Sequence, residues 1–205
     1  MAMTELHPRH DTLAAALWPR SGRLGEMSGL LRGALLAFAG SLLLWACAKI
    51  AIPIGPVPIA MTTFGVLAIG MAYGSRLAAA TLLLYLAEGA VGLPVFAGTP
   101  EKGLGLAYMA GPTGGYLLGY LLAATACGWL AERGWDRNIL SATVALLIGN
   151  ALLYLPGLLW LGTLLGWDKP ILEWGLTPFL LGDVLKLALV AAGLPLAWKV
   201  LARRG

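Results

Sequence analysis

The amino-acid sequence predicts an all-α integral membrane protein, and three observations carry that prediction. Of the 205 residues, 59% are hydrophobic and only 12% charged, with a mean hydropathy of +0.81, whereas a soluble domain averages about 25% charged residues. The acids and bases gather in the two tails and a few short breaks, leaving apolar runs of bilayer-spanning length between them. Runs of that length must satisfy their own backbone hydrogen bonds in lipid, and a helix does so within one segment.

Residues 1–28, polar and mixed in charge, predict a cytoplasmic N-terminal tail. Its short LAAALW stretch (13–18) is too brief for a signal-peptide core and reads as loosely ordered tail, with an interfacial amphipathic turn as the alternative. Residues 29–205 then form one six-helix membrane domain with its substrate site near the outer face. At roughly 20 apolar residues per span, the helices fall near 29–51, 57–73, 77–97, 114–132, 139–161 and 177–199. The second is short and follows the Pro/Gly-rich break IPIGPVPI (52–59), so its upper end is expected to be irregular backbone lining a cavity.

An even number of spans puts both termini on one side. Arg76, Arg133, Arg137 and Lys199 fall there with the arginines of both tails, while Lys49, Lys102 and Lys169 lie opposite and Lys186 lies inside a span. By the positive-inside rule both termini are cytoplasmic, in a bacterial cytoplasmic membrane, and the breaks near 52–58, 98–113 and 162–176 are outside. The net charge of +4 does not indicate nucleic acid, because the bases flank apolar runs and form no stripe interleaved with aromatics. Cys47 and Cys127 sit inside apolar runs as small buried hydrophobes.

Asp183 and Lys186 are the first candidates for a binding role. A charge at the centre of a membrane helix costs about 2.5–3.5 kcal/mol on insertion scales and demands a partner. At spacing i,i+3 the two share a helix face, and the lean of helix side chains carries the Lys186 ammonium up to the level of Asp183. Both heads are expected in a shallow, outward-opening chamber, gripping a ligand that has N–H and C=O groups; a structural ion pair between helices is the alternative. Glu88, near the outer end of the third span, needs a partner such as Lys186 or Lys102, and is either a ligand contact or a water-facing helix end.

Residues 92–120, GLPVFAGTPEKGLGLAYMAGPTGGYLLGY, have the glycines and prolines of a loop that folds as a lid. Thr113 is the expected N-cap of the fourth span, which leaves the amides of Gly114, Gly115 and Tyr116 aimed above the helix end as a mild anion site. Lys102, in the lid, is the mobile ammonium that could meet a ligand carboxylate. Tyr85, Tyr108, Tyr116, Tyr120 and Tyr154 either line an apolar pocket or belong to interfacial aromatic belts. In the first span Gly29, Gly33, Ala37 and Ser41 recur every four residues, a small-residue ridge for a helix inside this chain or for an external partner.

Several chemistries are excluded. No GxxxxGK[ST] phosphate loop exists, so the chain does not itself run on ATP. His7 and His10 are the only histidines and no Cys/His cluster or GxSxG occurs, so no metal, cofactor or serine-hydrolase activity is expected.

With PVPIAMTTFGVL, GLPVFAG, GPTGGYLLGY and GDVLK in this order, the chain closely resembles the BioY family, the biotin-binding S components of energy-coupling factor (ECF) transporters, from about residue 30 to residue 200. The resemblance implies an S-component-like bundle of six helices, biotin uptake, and an energising module of a transmembrane coupling protein and two ATPase subunits. The family's Asp-x-x-Lys, associated with the ureido ring, falls on Asp183 and Lys186; the acidic-or-amide position of the third helix resembles Glu88, and the basic loop position for the valerate carboxylate resembles Lys102. Many members read PVP-x-T-x-Q-T where Ala60 and Thr62 stand here, so no ligand contact is assigned to those positions.

On these grounds the expected function is biotin capture for uptake. Asp183 would accept from a ureido N–H, Lys186 would donate to the ureido oxygen, and Lys102 or the amides near Gly114 would hold the carboxylate. Gly33, Ala37 and Ser41 would form the docking ridge. The alternatives are an S component for another vitamin, a membrane enzyme using Asp183 and Glu88 as acid and base, or an assembly subunit whose charges pair only between helices.

Overall fold

The computed structural model describes residues 11–17, 29–53 and 55–202. Its elements in chain order are α1 (Leu13–Leu17), α2 (Gly29–Lys49), β1 (Ala51–Ile52), β2 (Ile59–Ala60), α3 (Thr62–Tyr73), α4 (Ser75–Ala90), α5 (Gly105–Met109), α6 (Gly114–Ala131), α7 (Ile139–Leu165), α8 (Ile171–Gly175) and α9 (Thr177–Ala202). The expected tail lies mostly outside the described residues. Within it, LAAAL is not loose: α1 buries Leu13 and Ala14 and packs on α3 and α9, with Arg32 donating to the Ala14 carbonyl at 2.9 Å. Two buried apolar side chains and a charged donor suffice to dock one helical turn.

Among the described residues four stretches are long and apolar enough to cross a membrane: Gly29–Lys49, Gly114–Ala131, Ile139–Leu165 and Ile171–Leu201. On α9, Leu181, Val184, Leu185 and Leu189 are exposed while Leu187, Val190, Ala191 and Leu194 are buried. One face of the helix thus packs inward and an equally apolar face points out, as a lipid-facing helix requires.

The expected second and third spans are shorter than their apolar runs. In the second, Pro53, Pro56 and Pro58 remove backbone donors, and residues 51–60 turn back as a two-stranded antiparallel hairpin with Ala51 opposite Ala60. Helix begins only at Thr62, and its 12 residues span about 18 Å of a roughly 30 Å hydrocarbon core. In the third, α4 ends at Ala90 and not near residue 97, because Gly92 takes φ +97° and Pro94 follows it. The residues released from these two runs become the walls of a cavity.

At the centre, α6 packs against α7, α3 and α4. A Cβ at Gly119 would collide with the backbone of Leu153 on α7, and one at Gly128 would collide with the backbone of Gly74 and Ser75. The close approach of α6 and α7 therefore depends on the absence of a side chain at Gly119. Gly33 on α2, by contrast, has nothing within 4 Å of the Cβ position.

Gly119→Leu is expected to lower the stability of the purified protein by about 1–3 kcal/mol or more, with Gly33→Leu close to wild type. Thermal unfolding in detergent, followed by loss of monodisperse protein, checks this; equal midpoints for the two variants would show that α6 and α7 are not held at backbone contact.

Candidate ligand-binding site

The hairpin, the loop after α4 and the ends of α6, α7 and α9 meet around a small cavity of about 30 Å³, room for a water or two, so a larger ligand would have to part its walls. Val57, Pro58 and Ala60 form one wall from the hairpin, and Thr62 and Thr63 come from the first turn of α3. Phe96 and Ala97 come from the loop after α4, Thr113, Tyr116, Leu117 and Tyr120 from the start of α6, and Leu153, Tyr154 and Phe179 from α7 and α9. All five tyrosines that the sequence left between pocket and aromatic belt, Tyr85, Tyr108, Tyr116, Tyr120 and Tyr154, line this cavity.

Most of these rings are tied at their polar tip. Tyr85 donates to the Val95 carbonyl at 2.9 Å, Tyr108 to Ala97 at 2.8 Å and Tyr116 to Gly175 at 2.8 Å. Phe96 stacks on Tyr108 with centroids 5.0 Å apart and meets the edge of Tyr85 at 5.4 Å. It also lies against Gly89, where a Cβ would collide with the ring. Burial pushes the Tyr108 phenol up from its ordinary value, so it is a neutral donor throughout the physiological range. The result is an aromatic box with fixed walls and hydroxyls of known direction.

Asp183 and Lys186 come together as the spacing required, with Nζ 3.2 Å from Oδ1. They are 2% and 5% exposed, and their heads do not open into the cavity as expected. Lys186 also donates to the Ala60 carbonyl at 2.8 Å, and Asp183 Oδ2 accepts from the Tyr154 hydroxyl and from Asn150 Nδ2 at 3.2 Å. The pair thus sits one layer behind the wall, reaching the cavity through Ala60 and Tyr154. Each charge has at least two protein partners, because an unpaired buried charge is costly.

Glu88, half-buried in the last turn of α4, has a partner that the sequence did not suggest. Its Oε1 accepts from Ser41 Oγ at 3.0 Å across the α2–α4 contact, and neither Lys186 nor Lys102 is its partner. Lys102 is exposed on the lid and donates to the Gly55 carbonyl at 3.3 Å, bridging lid and hairpin. Thr113 lines the cavity at the N-cap position of α6, but its backbone is helical and its side chain makes no capping bond. The Gly114 and Tyr116 amides donate to Gly111 and Thr113 carbonyls at 3.0 Å each, so these two do not form the expected anion site. The lid tightens into turns at the helix start, and those turns consume the donors.

The small-residue ridge on α2 splits along its length. Ala37 and Ser41 are buried, and Ser41 bonds Glu88, whereas among the described residues nothing comes within 4 Å of the Cβ position of Gly33. Sequence reasoning passed over Asn150, although an amide inside the apolar run LLIGNALLYL was a visible signal. It also passed over Phe96, Phe179 and Lys49, whose roles depend on contacts between distant segments.

The profile of the BioY family matches residues 20–203. A probable biotin transporter BioY of Pyrococcus horikoshii is 36% identical over 141 residues, covering 69% of this chain and 80% of that protein. The biotin transporter BioY of Thermotoga maritima is 35% identical over 148 residues, covering 70% and 82%. In three dimensions the chain is similar to the S-component for biotin from an ECF-type ABC transporter, a crystal structure, with a TM-score of 0.71 at 24% identity over 84% of this chain and 95% of that one. That likeness is one of fold. With nine-tenths of its length matched by the profile, the chain belongs to the BioY family.

Proposed function

We propose that this protein captures biotin and serves as the substrate-binding subunit of an ECF-type transporter in the cytoplasmic membrane, with six spans and both termini inside. The observation that carries the proposal is the aromatic cavity backed by the Asp183–Lys186 pair. The names of the BioY relatives and the fold of the biotin S-component support it. No enzymatic step is involved, and no cofactor.

Biotin offers ureido N–H donors, a ureido oxygen, an apolar bicycle with a thioether, an aliphatic chain and a carboxylate, and each has a complement. Phe179, Leu153 and Leu117 suit the bicycle. The ureido group reaches the wall made by Tyr154 and Ala60, where the Asp183 carboxylate accepts and the Lys186 ammonium donates once their present partners yield. Lys102, held only by one exposed bond to Gly55, swings to the carboxylate. The fixed rings reduce the ordering that binding would otherwise require.

Transport further needs ATPase subunits and a coupling protein, since this chain has no phosphate loop. Their docking face on α2 narrows to the open side at Gly33, because Ala37 and Ser41 are occupied by the chain itself.

Three measurements test this. Lys102→Ala is expected to weaken biotin by roughly ten- to a hundredfold, the worth of one hydrogen bond to a charged group, and to leave biotinamide affinity unchanged; equal losses for both would remove Lys102 from the carboxylate. Asp183→Asn, which keeps an acceptor for Asn150 and Tyr154, is expected to cost more in biotin affinity than in thermal stability. The reverse ranking would make the pair a purely structural tie. Gly33→Leu in cells that carry the energising subunits is expected to depress uptake while the purified variant binds biotin normally, and parallel loss of both would contradict docking there.

A further inference from the structure

Three consecutive carbonyls, 95–97, on the segment that gives the cavity Phe96 and Ala97, are each held by a side chain from a different helix. Val95 receives Tyr85 of α4, Ala97 receives Tyr108 of α5, and Phe96 receives Lys49 at the last residue of α2, 3.4 Å away. The Lys49 ammonium also donates to the Thr99 carbonyl at 3.0 Å and to Thr99 Oγ1 at 3.1 Å, and that hydroxyl donates in turn to Phe96 at 2.7 Å. All three ammonium hydrogens therefore have acceptors in one turn of chain, 96–99. Phe96 and Thr99 are buried, at 1% and 6% exposure.

We infer that Lys49 is a positioning residue that holds the 95–99 wall closed over the cavity and so sets how slowly a bound ligand leaves. This rests on the proposed capture of a small ligand in that cavity. The tyrosine bonds on either side are neutral and reach one acceptor each, whereas the exposed lysine makes charge-assisted bonds to three acceptors of the segment. It is also anchored well, because a cation in the last turn of a helix is favoured by the helix's own carbonyls. Since its hydrogens are engaged, Lys49 acts through Phe96 and not on the ligand's carboxylate, which separates its role from that of Lys102. The two lysines divide the lid between them: Lys49 fixes its root, and Lys102 ties its exposed part to the hairpin at Gly55.

The test compares wild type, Lys49→Met and Lys49→Arg, purified in detergent. Lys49→Met is expected to accelerate release of radiolabelled biotin and of biotinamide by the same factor, about ten- to a hundredfold, with Lys49→Arg restoring most of the slow release. An effect on biotin alone would make Lys49 a carboxylate ligand, and unchanged release for both would overturn the inference. Hydrogen exchange at amides 95–103, measured without any ligand, is expected to speed up in Lys49→Met while the amides of α6 and α7 keep wild-type rates. Exchange that stays slow also overturns it. Because that second readout needs no biotin, failure of the proposed substrate and failure of the latch are told apart.

Discussion

The structure depends most on one constraint: two opposite charges, Asp183 and Lys186, buried together on a helix that has lipid-facing side chains on its other face. Removing both ions from water is costly enough that mutual attraction does not by itself compensate. The remaining capacity must be filled by protein groups. Lys186 takes the Ala60 carbonyl, and Asp183 takes Tyr154 and Asn150. Those bonds tie α9 to the β-hairpin on one side and to α7 on the other. The position of the hairpin is thereby set from the far end of the sequence.

The same bonds shape the site. Ala60 and Tyr154 are both cavity-lining residues and both partners of the pair, so the electrostatic network and the cavity share a wall. A ligand that altered this wall would be felt by three elements at once. The other walls are fixed by a simpler device, a ring whose hydroxyl bonds a backbone carbonyl some distance away, as Tyr116 does with Gly175. Tyrosine suits this because its body is apolar and its tip is polar. The cavity is thus lined largely by rings and pinned where their hydroxyls bond the backbone.

Much of the bundle was legible in the sequence. The runs near 114–132 and 139–161 correspond to α6 and α7, because long apolar stretches leave helix as the one economical backbone. Legibility failed where local chemistry overrode apolarity: prolines 53, 56 and 58 delayed α3, and Gly92 with Pro94 ended α4 early. The i,i+3 spacing revealed the Asp183–Lys186 pair. Its partners Asn150 and Ala60 lie 33 and 126 residues away from the charges they meet, and no local pattern encodes such a distance. The roles of Lys49 and Phe96 were hidden for the same reason.

Glu88 shows why an intramembrane charge does not name its own role. It obeys the expectation that such a residue has a partner, but the partner is a serine hydroxyl from the neighbouring helix. Ser41 belongs to the four-residue ridge of small side chains on α2, and that ridge let α2 approach α4 closely enough for the bond to form. Two features that looked separate in the sequence, a small-residue ridge and a half-buried carboxylate, meet at Ser41. At Gly33, on the other half of the ridge, no described residue comes within 4 Å of the side-chain position. A polar group inside a membrane protein is therefore assigned by asking first which neighbour can satisfy it, and it is assigned to a ligand only when that capacity is left over or can be exchanged. For Asp183 and Lys186 the groups that would have to exchange are Tyr154 and the Ala60 carbonyl, both residues being walls of the cavity.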